Sequence, residues 1–370
     1  MAYTNFGKLT DNEKKVWSMD FWSKARNYQF LNKFVGTGQD AVIQRITELR
    51  KTEKGAKAVI TLVNDLEGDG VAGDRQLEGN EEELTSEEQV IQIDQLRNAN
   101  RSQGKMAEQR SIVTFRQESR DKLAYWAADR LDQMSFLTLA GIDYGQHNNG
   151  VARVGSQLPL LDFASDVKAP TARREMGYDN TAKALVELPT SSVDATDHQI
   201  SWAGIVELKA YAKDEYVRQI RDVNGIAYYQ LFLTPKAMAK LKQDPDYLAN
   251  LRNAGSRGPS NDLFKGTDSV WVDGILISEY RLVPNTQGAA AGSKWGAAGN
   301  TDGCAALLCG AQAMGYADIG MAEWVEKEFD YDNQPGISIG KIMGMLKPQF
   351  KSKISGDAQD FGVIRYNIAT

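Results

Sequence analysis

The sequence predicts an α+β fold in which strands and helices mix around one long helix. Three observations carry this expectation. From Met106 to Ala140 there is no Gly and no Pro, and Ile112, Phe115, Leu123, Trp126, Ala127, Leu131, Met134 and Leu137 recur at helical spacing up to Gly141. The β-branched KAVITLV (57–63) and the alternating EQVIQID (88–94) flank a glycine-rich acidic segment, which reads as two strands of a long hairpin. Further on, helical stretches are interleaved with apolar runs of strand length: AYYQLFL (227–233), CAALLCG (304–310), ISIGKIMGML (337–346) and FGVIRYNI (361–368).

Taken in order, residues 1 to 35 form a polar arm carrying Trp17, Phe21, Trp22, Tyr28, Phe30 and Phe34, aromatics that need a surface to lie against. The hairpin tip has four glycines between 68 and 79 and few large hydrophobes, so it has no core of its own and should project. Between Asp65 and Asp94 eleven acids face one base, Arg75; the window carries −10 and leaves +4 on the rest. Such a segment is either a solvated loop or an arm that docks on a basic neighbour. The helix from 106 to 140 should be about 50 Å long, and its apolar stripe lacks the sustained heptad of a coiled coil. Residues 141 to 195 read as an irregular excursion rich in Gly, Asn, Ser and Asp. A second helix is expected to start near Thr196, paired with Gln199 in a capping box, with Ile200, Ala203, Val206 and Ala210 on one face. Thr234 followed by Pro235 is an N-cap signal for a helix through Met238 and Leu241. Asp273-Gly274, between VWV and ILI, is the strongest short hairpin signal in the chain.

Composition narrows the function. With 370 residues, 42% of them hydrophobic, the chain can bury a core of two or three sub-domains. Neither a membrane span nor a signal peptide is legible. Cys304 and Cys309 are too few for a disulfide framework or a four-cysteine zinc site, which fits synthesis in a reducing cytoplasm. A net charge of −6 argues against a protein that coats nucleic acid by neutralising phosphates. Several chemical-looking patterns fail on inspection. Gly68, Gly70 and Gly73 spell GxGxxG, but no apolar helix follows, and Glu67, Asp69 and Asp74 would repel a pyrophosphate. Asp65, Glu67, Asp69 and Gly70 resemble the start of a calcium loop, yet position twelve is Gln76. Gly336 to Lys341 is one residue short of a phosphate loop and has Ile342 in place of Ser or Thr. His147 and His198 lack a nucleophile pattern, and Asp330 and Asp332 flank Tyr331 as turn formers. No catalytic residue, cofactor or metal site is expected.

The order of arm, projecting hairpin, long helix, mixed domain and return strands resembles the HK-97 fold of tailed-bacteriophage major capsid proteins. The stretches that carry the resemblance are DRQLEGNEEELTSEEQVIQIDQLRNANR (74–101) running into EQRSIVTFRQESRDKLAYWAADRLD, then YYQLFLTPKAMAKLKQDPDY (228–247), VDGILISEYRLVP (272–284), LLCGAQAMGYA (307–317) and EFDYDNQPGISIGKIMG. Residues 145–195 match poorly. The resemblance implies an N-terminal arm (1–35), the start of a peripheral domain (36–51), an extended loop (52–104), a peripheral domain with the spine helix (105–196), an axial domain (197–325) and peripheral return strands (326–370). Inter-subunit contacts would come from Gly68, Gly70, Gly73, Glu81, Glu82 and Glu83, and the spine-helix core from Ile112, Phe115, Leu123, Trp126 and Leu131. It further implies self-assembly into hexamers and pentamers of an icosahedral or prolate head enclosing double-stranded DNA, made in the bacterial cytoplasm. A separate scaffolding protein is expected because only a short stretch precedes the arm; a portal and a decoration protein are further expected partners. A nanocompartment shell of the same fold, another virion component and an enzyme are the competing readings; they differ in particle contents, copy number and turnover.

Overall fold

The computed structural model describes residues 11–47, 57–63, 69–82, 86–110, 114–221, 225–254, 269–352 and 356–370. The chain opens with α1 (Asp11–Tyr28), a 3-10 turn (Leu31–Phe34), β1 (Val35–Gly36) and β2 (Ile43–Ile46). The hairpin follows as β3 (Lys57–Val63) and β4 (Ser86–Gln92), then β5 (Asp94–Arg101), α2 (Lys105–Arg110) and α3 (Phe115–Ala140). After three 3-10 turns come β6 (Glu175–Asp179), β7 (Ala184–Glu187), α4 (Trp202–Asp214), β8 (Ile220–Arg221), β9 (Ala227–Leu233), α5 (Pro235–Gln243) and α6 (Pro245–Ala254). The chain ends through β10 (Ser269–Val272), β11 (Ile275–Glu279), β12 (Gly303–Cys309), β13 (Met314–Phe329), β14 (Gln334–Leu346), β15 (Gln349–Lys351), β16 (Ala358–Asp360) and β17 (Val363–Ala369).

Two main sheets take most of these strands, and β3-β4 and β15-β16 pair as separate two-stranded sheets. The smaller main sheet has the order β1-β2-β13-β14-β5, and the larger runs β10-β11-β9-β12-β17-β6-β7, with β8 paired to β9. Helix α3 joins them. Every residue from Leu131 to Ala140 is buried, because this end of α3 packs against β14 of one sheet and β12 of the other. Phe136 anchors it, with ring centroids 5.4 Å from Phe232 and 5.7 Å from Tyr280. The helix stops at Gly141, whose φ of 68° lets the Ile142 N–H reach back to the Leu137 carbonyl at 2.9 Å.

The aromatics of the arm find their surface within the same chain. Trp17 and Phe21 of α1 lie 5.8 and 6.4 Å from Trp324 of β13, and Phe30 stacks on Tyr280 at 4.0 Å. Asp132 of α3 fixes the exit from α1, accepting from Phe30 N (2.8 Å), Leu31 N (3.2 Å) and the Tyr280 hydroxyl (3.0 Å).

Several expectations need correction. The spine helix begins at Phe115, after Thr114 at its N-cap, and α2 is a separate short helix; at 1.5 Å per residue α3 is about 39 Å long rather than about 50 Å. Thr114, a β-branched residue of low helix propensity, is extended there, with φ −78° and ψ 112°. The second long helix starts at Trp202, where the Ser201 hydroxyl accepts from Gly204 N, and it buries Ile205, Leu208 and Ala212 rather than Ala203, Val206 and Ala210. Thr196 is taken by Asp194, whose carboxylate accepts from its backbone N–H and its hydroxyl. The excursion at 141–195 contains β6 and β7, which extend the larger sheet through β17. Strand β13 runs across residue 325, and β17 pairs with β12 in the larger sheet. Other expectations match the structure. Thr234 caps α5 with Pro235 at its first turn, and Asp273 and Gly274 have φ of 44° and 76°, as a type I′ turn requires.

Candidate assembly interface

The hairpin is antiparallel from Lys57↔Gln92 to Val63↔Ser86, and its base is packed on its own subunit. Alternation puts Ala58, Ile60 and Ile91 on one face, where they form a small core with Ile46, Ala317 and Leu346 of the smaller sheet. Two sheet glycines let the hairpin come this close. A Cβ on Gly315 would stand 2.9 Å from the Ile91 side chain, and one on Gly344 would stand 2.2 Å from the Gln92 carbonyl oxygen. Polar clamps complete the base: Gln349 N donates to Gln89 Oε1 (3.0 Å), Lys351 N to Glu87 (3.1 Å) and Gln92 N to Asp166 (2.9 Å).

Beyond the strands the tip changes character. All of residues 69–82 except Val71 are exposed, and Gly70, Gly73 and Gly79 have no atom within 4 Å of a Cβ position. Leu77 is 60% exposed, and Val90 on the outer face of β4 is 45% exposed. The structure thus places Gly70, Gly73, Glu81 and Glu82 together on one projecting, acidic, unpacked tip. Gly68 and Glu83 lie outside the described residues, as do Asp65 and Glu67 of the calcium-like pattern. Within the tip Glu81 accepts from Gly79 N at 2.7 Å and Asn80 Nδ2 donates to the Gln76 carbonyl at 3.1 Å, so its described contacts are local and polar and its apolar area is small.

Of the spine-helix residues, Leu123 and Leu131 are buried in the main core and Phe115 is half-buried against it, while Ile112 lies outside the described residues. Trp126 is half-buried rather than buried. At about 100° per residue it sits about 60° beyond Leu123, on the flank of the stripe formed by Leu123, Ala124, Ala128 and Leu131. There it lines a narrow apolar gap with Phe21, Leu96 and Met343.

The chemical-looking groups are structural. Cys304 and Cys309 are free and buried, and burial pushes the Cys304 thiol up to about 11 and that of Cys309 up as well. His198 Nδ1 accepts from Asp194 N at 2.8 Å, which caps a turn. Asp330, Tyr331 and Asp332 all have positive φ in the turn joining β13 to β14. Among the described residues no cluster of His, Cys, Asp or Glu could hold a metal ion. Sequence reasoning missed β5 as an edge strand of the smaller sheet and the seats made by Gly315 and Gly344. Glycines inside an apolar strand pattern were the available signal.

A family model described as phage capsid protein matches residues 5–370. The chain belongs to the phage capsid protein family. This capsid-family chain is 57% identical over 369 residues to the major capsid protein of Pseudomonas phage KPP25, covering 99% of this chain and 98% of that protein. Among solved structures it is similar to the capsid of Ralstonia phage GP4, with a TM-score of 0.74 at 24% identity over 92% of this chain and 91% of that one. The cyanophage Pam1 capsid gives a TM-score of 0.70 at 16% identity, over 100% and 96%. These likenesses establish the HK-97-like capsid fold, the fold expected from the sequence.

Proposed function

We propose that the chain is the major subunit of a phage head, assembling into hexamers and pentamers that close around double-stranded DNA. The observation that carries this reading is the hairpin: a base locked to its own subunit and an acidic tip whose described residues, Val71 excepted, are exposed. In a closed symmetric shell each tip lies on a neighbouring copy, so that Gly68, Gly70, Gly73, Glu81, Glu82 and Glu83 contact the next subunit and the same small contact recurs around the shell. The larger sheet, with the β10–β11 turn at one edge, serves as the axial part, and the smaller sheet with α3 as the peripheral part. A net charge of −6 keeps DNA contacts weak and free of sequence specificity. Assembly takes place in the host cytoplasm with a separate scaffolding protein, a portal and, on the outer surface, a decoration protein. No catalytic step is required of the subunit.

Negative-stain microscopy of the chain expressed alone and with a scaffolding protein tests this. Closed uniform shells only in the second sample are the expected result. Shells in the first remove the scaffolding protein from the account, and capsomers or shells in neither contradict the head-subunit reading.

A further inference from the structure

Between α1, β1, β2 and β13 lies a cavity of about 120 Å³ whose lining includes Trp22, Arg26, Arg45, Ser135, Tyr316 and Asp318. Among the described residues its charges do not balance. Asp318 is the one carboxylate in the lining and is already engaged by Arg45 at 2.5 Å and by Lys341 of β14. Lys341 also stands 4.3 Å from the centre of the Trp22 ring, and the Arg26 guanidinium lies 5.3 Å from it. Arg26 has that ring as its partner and no carboxylate among the described residues. Among the described residues three cations therefore gather around one carboxylate, which engages two of them.

The unmet hydrogen-bonding groups have the same sign. Trp22 is 6% exposed, and its indole N–H is buried with no acceptor; Arg45 Nε is likewise buried and unpaired. Both are donors. Buried donors are normally satisfied, and water at this place would supply acceptors without balancing the charge. An oxyanion does both, and charge-assisted bonds to guanidinium groups are the strong ones.

We propose that this cavity binds a single oxyanion, a carboxylate or a phosphate, held by Arg26 and Arg45 with the Trp22 N–H as a further donor. A carboxylate would come from the acidic hairpin tip of a second copy, and a phosphate from solution. The first source rests on the head-subunit reading, whereas binding itself does not.

The test follows the thermal midpoint of the unassembled full chain titrated with sodium phosphate or sodium acetate, with sodium chloride at matched ionic strength as the control. Phosphate and acetate should raise the midpoint above the chloride control. Arg26→Gln, which breaks no ion pair among the described residues, should weaken the apparent affinity about tenfold, equivalent to one lost charge-assisted contact. Trp22→Phe keeps the ring, removes the N–H and should weaken it less. No anion-specific rise in the wild type, or an equal rise in Arg26→Gln, overturns the site. Assembled shells separate the sources. Shells that ignore phosphate but regain the response when Glu81, Glu82 and Glu83 are changed to Gln assign the cavity to the tip carboxylate. Wild-type shells that respond as the free chain does assign it to the free anion. A chain that binds phosphate yet never assembles keeps the site and loses the head-subunit reading.

Discussion

At the base of the hairpin Ile60 and Ile91 are 2% and 0% exposed over two sheet glycines, while at the tip Gly70, Gly73 and Gly79 have no atom within 4 Å of a Cβ position. One chain segment thus carries two chemistries. The base is an alternating strand pair and belongs to the subunit. The tip is acidic and glycine-rich, without enough apolar surface to order itself. Contacts within the subunit are paid for by apolar burial, whereas the contacts proposed for the tip between subunits would rest on charge and backbone groups whose individual contributions are small.

The largest expected effect is at the base. Ile91→Ala should destabilise the isolated subunit by about 2 to 5 kcal/mol, as deletion of a buried branched side chain does. Urea unfolding of the purified chain measures it, and unchanged stability would mean that the base is as loose as the tip.

A second comparison sets the tip's exposed carboxylates against a buried one. Burial pushes Asp132 up to about 6 in spite of the three hydrogen bonds it accepts. Its folded value lies above its unfolded one, so the native state holds a proton that the unfolded chain releases. Stability contributed by this group is therefore present at low pH and is lost as pH rises from roughly 4 to 6, by roughly 3 kcal/mol in total. Asp132→Asn should remove that slope in denaturation curves recorded across the window.

The β10–β11 turn sharpens the contrast, because it is an exposed tip that holds its own shape. Gly274 has a φ of 76°, which a β-branched residue tolerates poorly. Gly274→Val should lower the melting temperature of the subunit by a few degrees, corresponding to about 1 to 2 kcal/mol. The smallest effect belongs to the acids. Changing Glu81, Glu82 and Glu83 together to Gln should leave subunit melting unchanged and shift only the salt dependence of assembly, since exposed ion pairs contribute about 0.2 to 1 kcal/mol each.

What was legible in the sequence follows from how local the signals are. The hairpin strands, the Thr234-Pro235 cap, the Asp273-Gly274 turn and the Gly141 stop are each decided by a few adjacent residues, and the structure has them all. Strand β13 was not legible, because Gly315 and Gly320 dilute its apolar pattern and its register shifts between Ile319 and Glu323. Its first half is buried on both faces and only its second half alternates. The start of α4 was misplaced because a capping-box pattern at Thr196 competes with the turn organised by Asp194. The oxyanion cavity was illegible for a different reason: Trp22, Arg26, Arg45 and Asp318 come from elements far apart in sequence.

In the proposed head the tip works in trans. Sedimentation of a variant lacking residues 68–83, with circular dichroism as the folding control, tests it most directly. The expected result is a folded, soluble subunit with wild-type melting that no longer forms shells under conditions where the intact chain does. Normal shells from the excised protein would make the tip a solvated loop and contradict the account.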